Sequence, residues 1–392
     1  FHPRQHGKPV KSLSDTHVLI VDDKMPNREL LAALLGAIGV GHIEQASDGV
    51  EGLAALQRAK PDLVLLDVMM PRMDGHEMCR QLRQLYPLAD LPVIFITALD
   101  GPADRFACFA AGGTDVMAKP FNNSEVIARV GVHLQLGLMM DKLRVFQERV
   151  QEELLNARSA QLALTPTPEQ MAQVSLRTGL ELEGLMETSS ELGGDFWTII
   201  NAGPRRLCVL MADFTGHGTT AAFNVFRLHL LLSRLPRQIP SPSALMDYLN
   251  DELRTVLKPG QFASIFAGLI DLDTDSLTFA SAAAPPPVIL MENAAPRYLD
   301  SEGPPLGAFA SPDYEETTVP FPPGSKLLIY SDALIESEVE GKLVCDDETL
   351  LHWMAEAGTE HNTASEILRR FHDILPGDPP DDLTLVSISR PA

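Results

Sequence analysis

Leu63-Val64-Leu65-Leu66-Asp67-Val68-Met69-Met70-Pro71-Arg72-Met73-Asp74-Gly75 decides how the first third of the chain folds. Its leading residues are uniformly apolar and too few for more than one short strand, the pattern of a strand covered on both faces. The run ends on an acid, and Pro71 and Asp74-Gly75 then break it. Residues 18–21 and 92–96 repeat the pattern, with amphipathic helical spacing between them. Strand and helix in regular alternation from His17 to about Phe121 predict a doubly wound parallel α/β sheet. Open sheets of this kind carry their sites beyond the carboxyl ends of the strands. There the sequence places Asp22 and Asp23, then Asp67, Thr97 and Lys119.

The rest of the chain bounds this reading. Its 392 residues exceed what one core usually holds, so two domains and a connector are expected. With 45% hydrophobic and 21% charged residues the composition is that of a globular protein. No apolar run approaches the roughly 18 residues of a membrane helix, so no membrane span is expected. A formal charge of -22 repels phosphate backbones, which disfavours nucleic acid and favours proteins or small cations as partners. The four cysteines (Cys79, Cys108, Cys208, Cys345) are far apart and form no Cys-x-x-Cys pair, which argues against a disulfide framework or a zinc knuckle and for the cytoplasm. Residues 1–13 lack the apolar core of a signal peptide and read as a floppy tail.

From about 124 to 165 the chain is almost free of Gly and Pro. Leu136, Met140, Leu143, Gln147, Val150, Leu154, Ala157, Gln161 and Leu164 recur at alternating steps of four and three, which predicts a long helix with a coiled-coil seam. Thr165-Pro166-Thr167-Pro168 stops it. From 169 to 392, strands at 207–211, 262–272, 326–330 and 383–388 cluster between helices at 220–235, 243–257 and 364–375, which predicts an α+β layered domain.

Carboxylates crowded at strand ends repel one another unless a cation joins them, so Asp22, Asp23 and Asp67 read as a hard divalent site best suited to Mg2+. Lys119 is placed to neutralise an incoming phosphoryl group and Thr97 to hydrogen-bond it. Val21-Asp22-Asp23, the stretch from Leu66 to Gly75, Thr97-Ala98 and Lys119-Pro120-Phe121 resemble the receiver domain of two-component response regulators, a (βα)5 fold over about 14–123. The resemblance implies phosphorylation of Asp67 by a sensor histidine kinase or small phosphodonor. It also implies magnesium held by Asp22, Asp23, Asp67 and the carbonyl of Met69, and sensing by Thr97 and Lys119. Val116 stands where the family usually carries a switch aromatic.

A second acid set follows. Gly193-Gly194-Asp195-Phe196, Ala212-Asp213-Phe214-Thr215-Gly216-His217-Gly218, Ser331-Asp332-Ala333 and Asp381-Asp382-Leu383-Thr384 put carboxylates at strand ends far apart in sequence, as a two-metal hydrolytic centre requires. His217 reads as a turn residue, Asp382 as a supporting carboxylate and Trp197 as core; Arg177, Arg205 and Arg206 are open candidates for a substrate phosphate. With Pro304-Pro305-Leu306-Gly307, these motifs are similar to PP2C-type serine/threonine phosphatases of the sporulation (SpoIIE) branch. The resemblance implies a PP2C-like β-sandwich flanked by helices over 169–392. It implies Mn2+ or Mg2+, two ions, on Asp195, Asp213, the carbonyl of Phe214, Asp332 and Asp381. Three positions depart from the family pattern: Thr198 for a second acid, Ala282-Ala283-Ala284 for Ala-Gly-His, and Ala333 for glycine.

A receiver, a helical linker and a PP2C-like output together resemble the RssB-type regulators of the stationary-phase sigma factor. That resemblance implies an adaptor that binds the sigma factor for ClpXP proteolysis. The alternative is an active phosphatase acting on a phosphorylated anti-sigma-factor antagonist. Parallel pairing of the linker seam would make a homodimer in either case.

Overall fold

The structure is a computed structural model describing residues 11–98, 101–189, 192–216, 218–235, 241–300, 302–358 and 362–392. It divides into two compact units, one ending at Gln151 and the other starting at Glu152. Among the described residues no helix is long and apolar enough to cross a membrane.

The first unit alternates β1 (His17–Val21), α1 (Met25–Ala37), β2 (His42–Ala46), α2 (Gly49–Arg58), β3 (Leu63–Asp67), α3 (Gly75–Leu85), β4 (Val93–Thr97), α4 (Pro102–Ala110) and β5 (Asp115–Ala118) before α5 (Asn123–Leu162). The strands form one parallel sheet in the order β2-β1-β3-β4-β5. Its central strands are apolar throughout because both faces are covered. Leu19, Val21, Val64 and Leu66 pack toward α2 and α3, while Val18, Ile20, Leu63 and Leu65 pack toward α1 and the start of α5. Residues 1–10 of the expected tail lie outside the described residues. Its last three belong to the fold: Lys11 pairs with Asp62 at 2.5 Å, and Leu13 opens a 3-10 turn and packs on the core.

Helix α5 has three environments. Val126, Val130 and Leu134 are buried under the sheet. Leu136, Met140, Leu143 and Val150 of the expected seam are exposed. Gln161, expected as a polar seam position, is instead 2% exposed within the second unit, and Leu164 just beyond the helix packs on that unit's core. The last turn thus departs from the expected seam, because it already has a partner within its own unit.

The second unit continues with α6 (Pro168–Thr178), β6 (Glu181–Glu187), β7 (Asp195–Gly203), β8 (Arg206–Phe214), α7 (Thr219–Ser233), α8 (Pro242–Val256), β9 (Ala263–Asp271), β10 (Ser276–Ala282), β11 (Val288–Leu290), β12 (Arg297–Tyr298) and β13 (Thr317–Pro320). It closes with β14 (Ser325–Tyr330), α9 (Ala333–Glu336), the hairpin β15 (Glu338–Val339) and β16 (Lys342–Leu343), α10 (Asp347–Ala357), α11 (Thr363–Ile374) and β17 (Leu383–Arg390). Two five-stranded sheets, β13-β10-β9-β8-β7 and β12-β11-β14-β17-β6, face each other. Alternation assigns the layers. Leu327 and Ile329 fill the sandwich with Trp197, Val209 and Phe279, whereas Leu328 and Tyr330 turn outward under α10 and α11. On the other sheet Leu210 and Ala212 pack outward against α7 and α8. Trp197 is core, as its neighbours predict. All four cysteines are buried and free.

Ala283 follows β10 with φ 55°, the left-handed region where a Cβ is disfavoured. It is the position at which the family pattern has glycine, so the backbone has kept a glycine conformation that the side chain resists. Ala283→Gly is expected to raise stability by roughly 0.5–1.5 kcal/mol in urea unfolding; unchanged or lowered stability would show that the alanine is unstrained.

Candidate functional site

The sheet order explains the first site. β1 and β3 are adjacent and parallel with Val21 beside Leu66, so each runs out into its acid at the same edge. Asp22, Asp23 and Asp67 offer oxygens within 4.8 Å of one another. Asp22 and Asp67 are 1% and 5% exposed. Lys119, arriving from β5, donates from Nζ to Asp22 Oδ2 at 2.8 Å and Asp67 Oδ2 at 2.7 Å. The Lys24 N–H and the Asn27 carboxamide fix the Asp22 carboxylate at 2.8 and 3.0 Å, and Arg28 donates to its carbonyl at 2.7 Å.

Burial raises the Asp67 carboxyl; Lys119 pulls it back and Asp22 pushes it up again. Burial also works against the Lys119 ammonium, but its bonds to both acids outweigh this and hold it above the ordinary lysine range. One ammonium does not balance three carboxylates, and an all-oxygen donor set beside it fits a hard divalent ion such as Mg2+. Met69 lines the same cleft of about 420 Å³ as Asp23, Asp67 and Lys119. Thr97 ends β4 beside Ala118 and is buried. Arg72, with φ 64°, pairs with Asp48 and Glu51 of the α2 start and ties down the loop that carries Met69. Gly75 has to lack a side chain, since a Cβ there would sit 2.1 Å from the Asp67 carbonyl oxygen. Val116 lies in register with Phe95 and is buried in the core.

The second site lies at one end of the sandwich. Asp195 opens β7 directly opposite Asp213 at the end of β8. Asp332 follows β14, and Asp381 and Asp382 precede its neighbour β17. Asp195 is 2% exposed, and Thr384 Oγ1 donates to its Oδ2 at 2.6 Å. The Ser331 hydroxyl donates to the Asp382 carbonyl at 3.0 Å and accepts from the Thr384 N–H at 2.8 Å, locking β14 to β17. Asp382 accepts from the N–H groups of Ser189 at 2.9 Å and Gly194 at 2.6 Å, so it holds the loop that carries Asp195. Gln161 grips that loop from the other side, donating to the Gly193 carbonyl at 2.8 Å and accepting from its N–H at 3.3 Å. A Cβ at Gly193 would meet Asp382 Oδ2 at 2.4 Å, and one at Gly194 would meet the Phe214 carbonyl at 2.7 Å. Asp332 stands directly before α9, half-buried.

Burial first, and then Asp332, Asp381 and Asp382, push the Asp213 carboxyl up to about 7. Burial and Asp213 raise Asp195 well above the carboxylate range, and burial, Glu336 and Asp381 raise Asp332. This confined negative charge, made only of oxygen donors, fits divalent cations.

Arg205 and Arg206 do not belong to the site. Arg206 opens β8 and Arg205 directly precedes it, seven and eight residues or about 23–26 Å of strand from Asp213, and they pair with Asp271 and Asp273. His217 lies outside the described residues. Ala333 is buried in the apolar layer under α10 and α11. Sequence reasoning missed Gln161 and Thr384. Thr384 was accessible through alternation, being two residues from Asp382 on the same strand face, whereas Gln161 carried only a misleading heptad signal.

The raised Asp213 group makes a pH prediction for chelated protein. Its folded pKa of about 7 exceeds the unfolded value near 3.9, so its contribution to stability is full below about pH 4 and lost as pH rises through about 7. EDTA-treated protein should melt lower at about pH 8 than at about pH 5, and Asp213→Asn should recover a few degrees at the higher pH. Equal melting of wild type and variant at the higher pH would contradict the confinement of this carboxylate.

Comparison with known proteins agrees with both halves. The response regulator receiver domain family matches residues 18–131, and the Stage II sporulation protein E (SpoIIE) family matches 203–391. Response regulator MprA of Mycobacterium leprae is 45% identical over 113 residues, 29% of this chain and 48% of that protein. Response regulator PleD of Caulobacter vibrioides is 41% identical over 127 residues, 32% of this chain and 28% of that protein. The chain thus spans half or less of the length of these relatives. The SiaA-PP2C domain of Pseudomonas aeruginosa shares the fold of the second unit, with TM-score 0.54 and 18% identity over 62% of this chain and 98% of that one. The chain carries a response regulator receiver domain followed by a SpoIIE/PP2C phosphatase domain.

Proposed function

We propose that this chain is a phosphorylation-controlled, metal-dependent protein serine/threonine phosphatase in a sigma-factor pathway. In this reading Asp67 accepts a phosphoryl group from a histidine kinase or a small phosphodonor. The C-terminal domain removes phosphate from a phosphorylated anti-sigma-factor antagonist in the cytoplasm. The observation that carries the reading is the gathering of Asp195, Asp213, Asp332 and Asp381 at one end of the sandwich, with Asp382, Ser331 and Thr384 holding them in place.

At the first site an Asp67 carboxylate oxygen attacks the donor phosphorus and the donor's leaving group departs. The Lys119 ammonium balances the added charge, and the Thr97 hydroxyl, at the end of β4, donates to a phosphoryl oxygen. Asp22, Asp23 and the Met69 carbonyl would hold Mg2+. At the second site Asp195, Asp213, Asp332, Asp381 and the Phe214 carbonyl would hold two Mn2+ or Mg2+ ions. When bound, the ions supply a water activated for in-line attack on a phosphoserine or phosphothreonine. The Gln161 carboxamide connects α5 to the Gly193-Gly194-Asp195 loop, which makes the linker the transmitter. Its exposed Leu136, Met140, Leu143 and Val150 suit a parallel homodimer.

A second reading keeps the architecture and drops the chemistry. The domain would then be an RssB-type adaptor that presents a sigma factor to ClpXP, a reading favoured by Thr198 and Ala283 at family positions.

Acetyl phosphate with Mg2+ should add one phosphoryl group to the wild type by intact mass and none to Asp67→Ala. Wild-type full chain should hydrolyse a phosphoserine peptide with Mn2+, Asp213→Ala should lose turnover at least ~100-fold, and Gln161→Ala should lose several-fold while still taking up phosphate on Asp67. Absence of wild-type turnover with any metal would remove the phosphatase reading and leave the adaptor.

A further inference from the structure

A third convergence of ligating side chains lies at the other end of the receiver sheet from Asp67. His17 opens β1, whose far end leads to Asp22. β2 runs parallel beside it, with His17 in register with His42 and Leu19 with Glu44. His42 and Glu44 are two residues apart on one strand and so project from the same face. The His17 and His42 rings lie 4.5 Å apart between centroids, tilted by 54°. His17 Nε2 is 3.3 Å from Glu44 Oε2, and one ligand atom from each of the three residues lies within 4.8 Å of the others.

Two details distinguish this group from an ordinary surface cluster. His17 Nε2 is buried and makes no hydrogen bond, its approach to Glu44 lacking the alignment of one. A buried nitrogen without a partner is uncommon and calls for one. Glu44 is also already oriented: Arg58 donates to Oε1 at 2.5 Å and leaves Oε2 facing His17.

We propose that His17, His42 and Glu44 form a binding site for a borderline divalent transition-metal ion of the zinc class, which pins edge strand β2 to β1. Ligand bonds of about 2.0–2.2 Å in tetrahedral geometry place ligand atoms roughly 3.3–3.5 Å apart. The His17–Glu44 pair already has this spacing, and the exposed His42 ring closes the remainder by a change of rotamer. Two imidazoles and one carboxylate select zinc-like ions, while the all-oxygen acids at the opposite sheet edge select magnesium, so the two ends of one sheet discriminate between metals. Three protein ligands leave the fourth position to water.

Zn2+ is titrated calorimetrically into the full chain with Mg2+ in excess, for wild type, His42→Ala and Glu44→Gln. Phosphoryl uptake by Asp67 from acetyl phosphate reports that each receiver is folded. Wild type should bind one more Zn2+ per chain than either variant, and Zn2+ should raise the melting temperature of wild type more than that of the variants. Equal Zn2+ stoichiometry in wild type and both folded variants would overturn the site. Zinc uptake at the aspartates of the second unit is common to all three proteins and cancels in the difference.

Discussion

Repulsion between buried carboxylates is the interaction on which the rest of this structure depends. A carboxylate removed from water loses its hydration, and a second one nearby adds to the penalty. The fold nevertheless builds this arrangement twice, around Asp67 with Asp22 and around Asp195 with Asp213. Such placement persists only when rigid elements enforce it. In the first unit two adjacent parallel strands end together. In the second, an antiparallel pair sets one acid opposite another.

The two sites contain the stored charge by different means. Lys119 spans Asp22 and Asp67, so the receiver pocket carries its own counter-cation and a divalent ion has only the surplus to neutralise. Among the described residues no lysine or arginine pairs with Asp195; it is held by the Thr384 hydroxyl, while Asp382 and Gln161 fix its loop through backbone groups. Neutral donors position a carboxylate without discharging it; Asp213, buried and faced by Asp332, Asp381 and Asp382, is pushed up to about 7.

Helix α5 shows how one element serves several purposes along its length. Its start completes a core, its middle displays apolar residues, and its end closes on the loop beside Asp195. Burial of Gln161 with both polar ends satisfied gives the contact directionality that an apolar side chain would lack. Displacing it would leave the Gly193 peptide unpaired in a buried place, a cost that couples the helix to the geometry of the site.

The sequence by itself determined the class of each half and where its acids fall. Apolar runs ending in Asp22 and Asp67 announced a parallel sheet with acids at its edge, since strand burial and strand-end placement are local properties of the chain. The motifs around Asp195, Asp213, Asp332 and Asp381 announced a second acid centre for the same reason. Tertiary structure alone decided which groups support them. Gln161 reads as a seam residue until the neighbouring loop is present, Arg205 and Arg206 read as phosphate ligands until strand length removes them, and His17, His42 and Glu44 read as unrelated until two strands lie in register. Distances between residues far apart in sequence are set by packing and pairing, which no local pattern encodes.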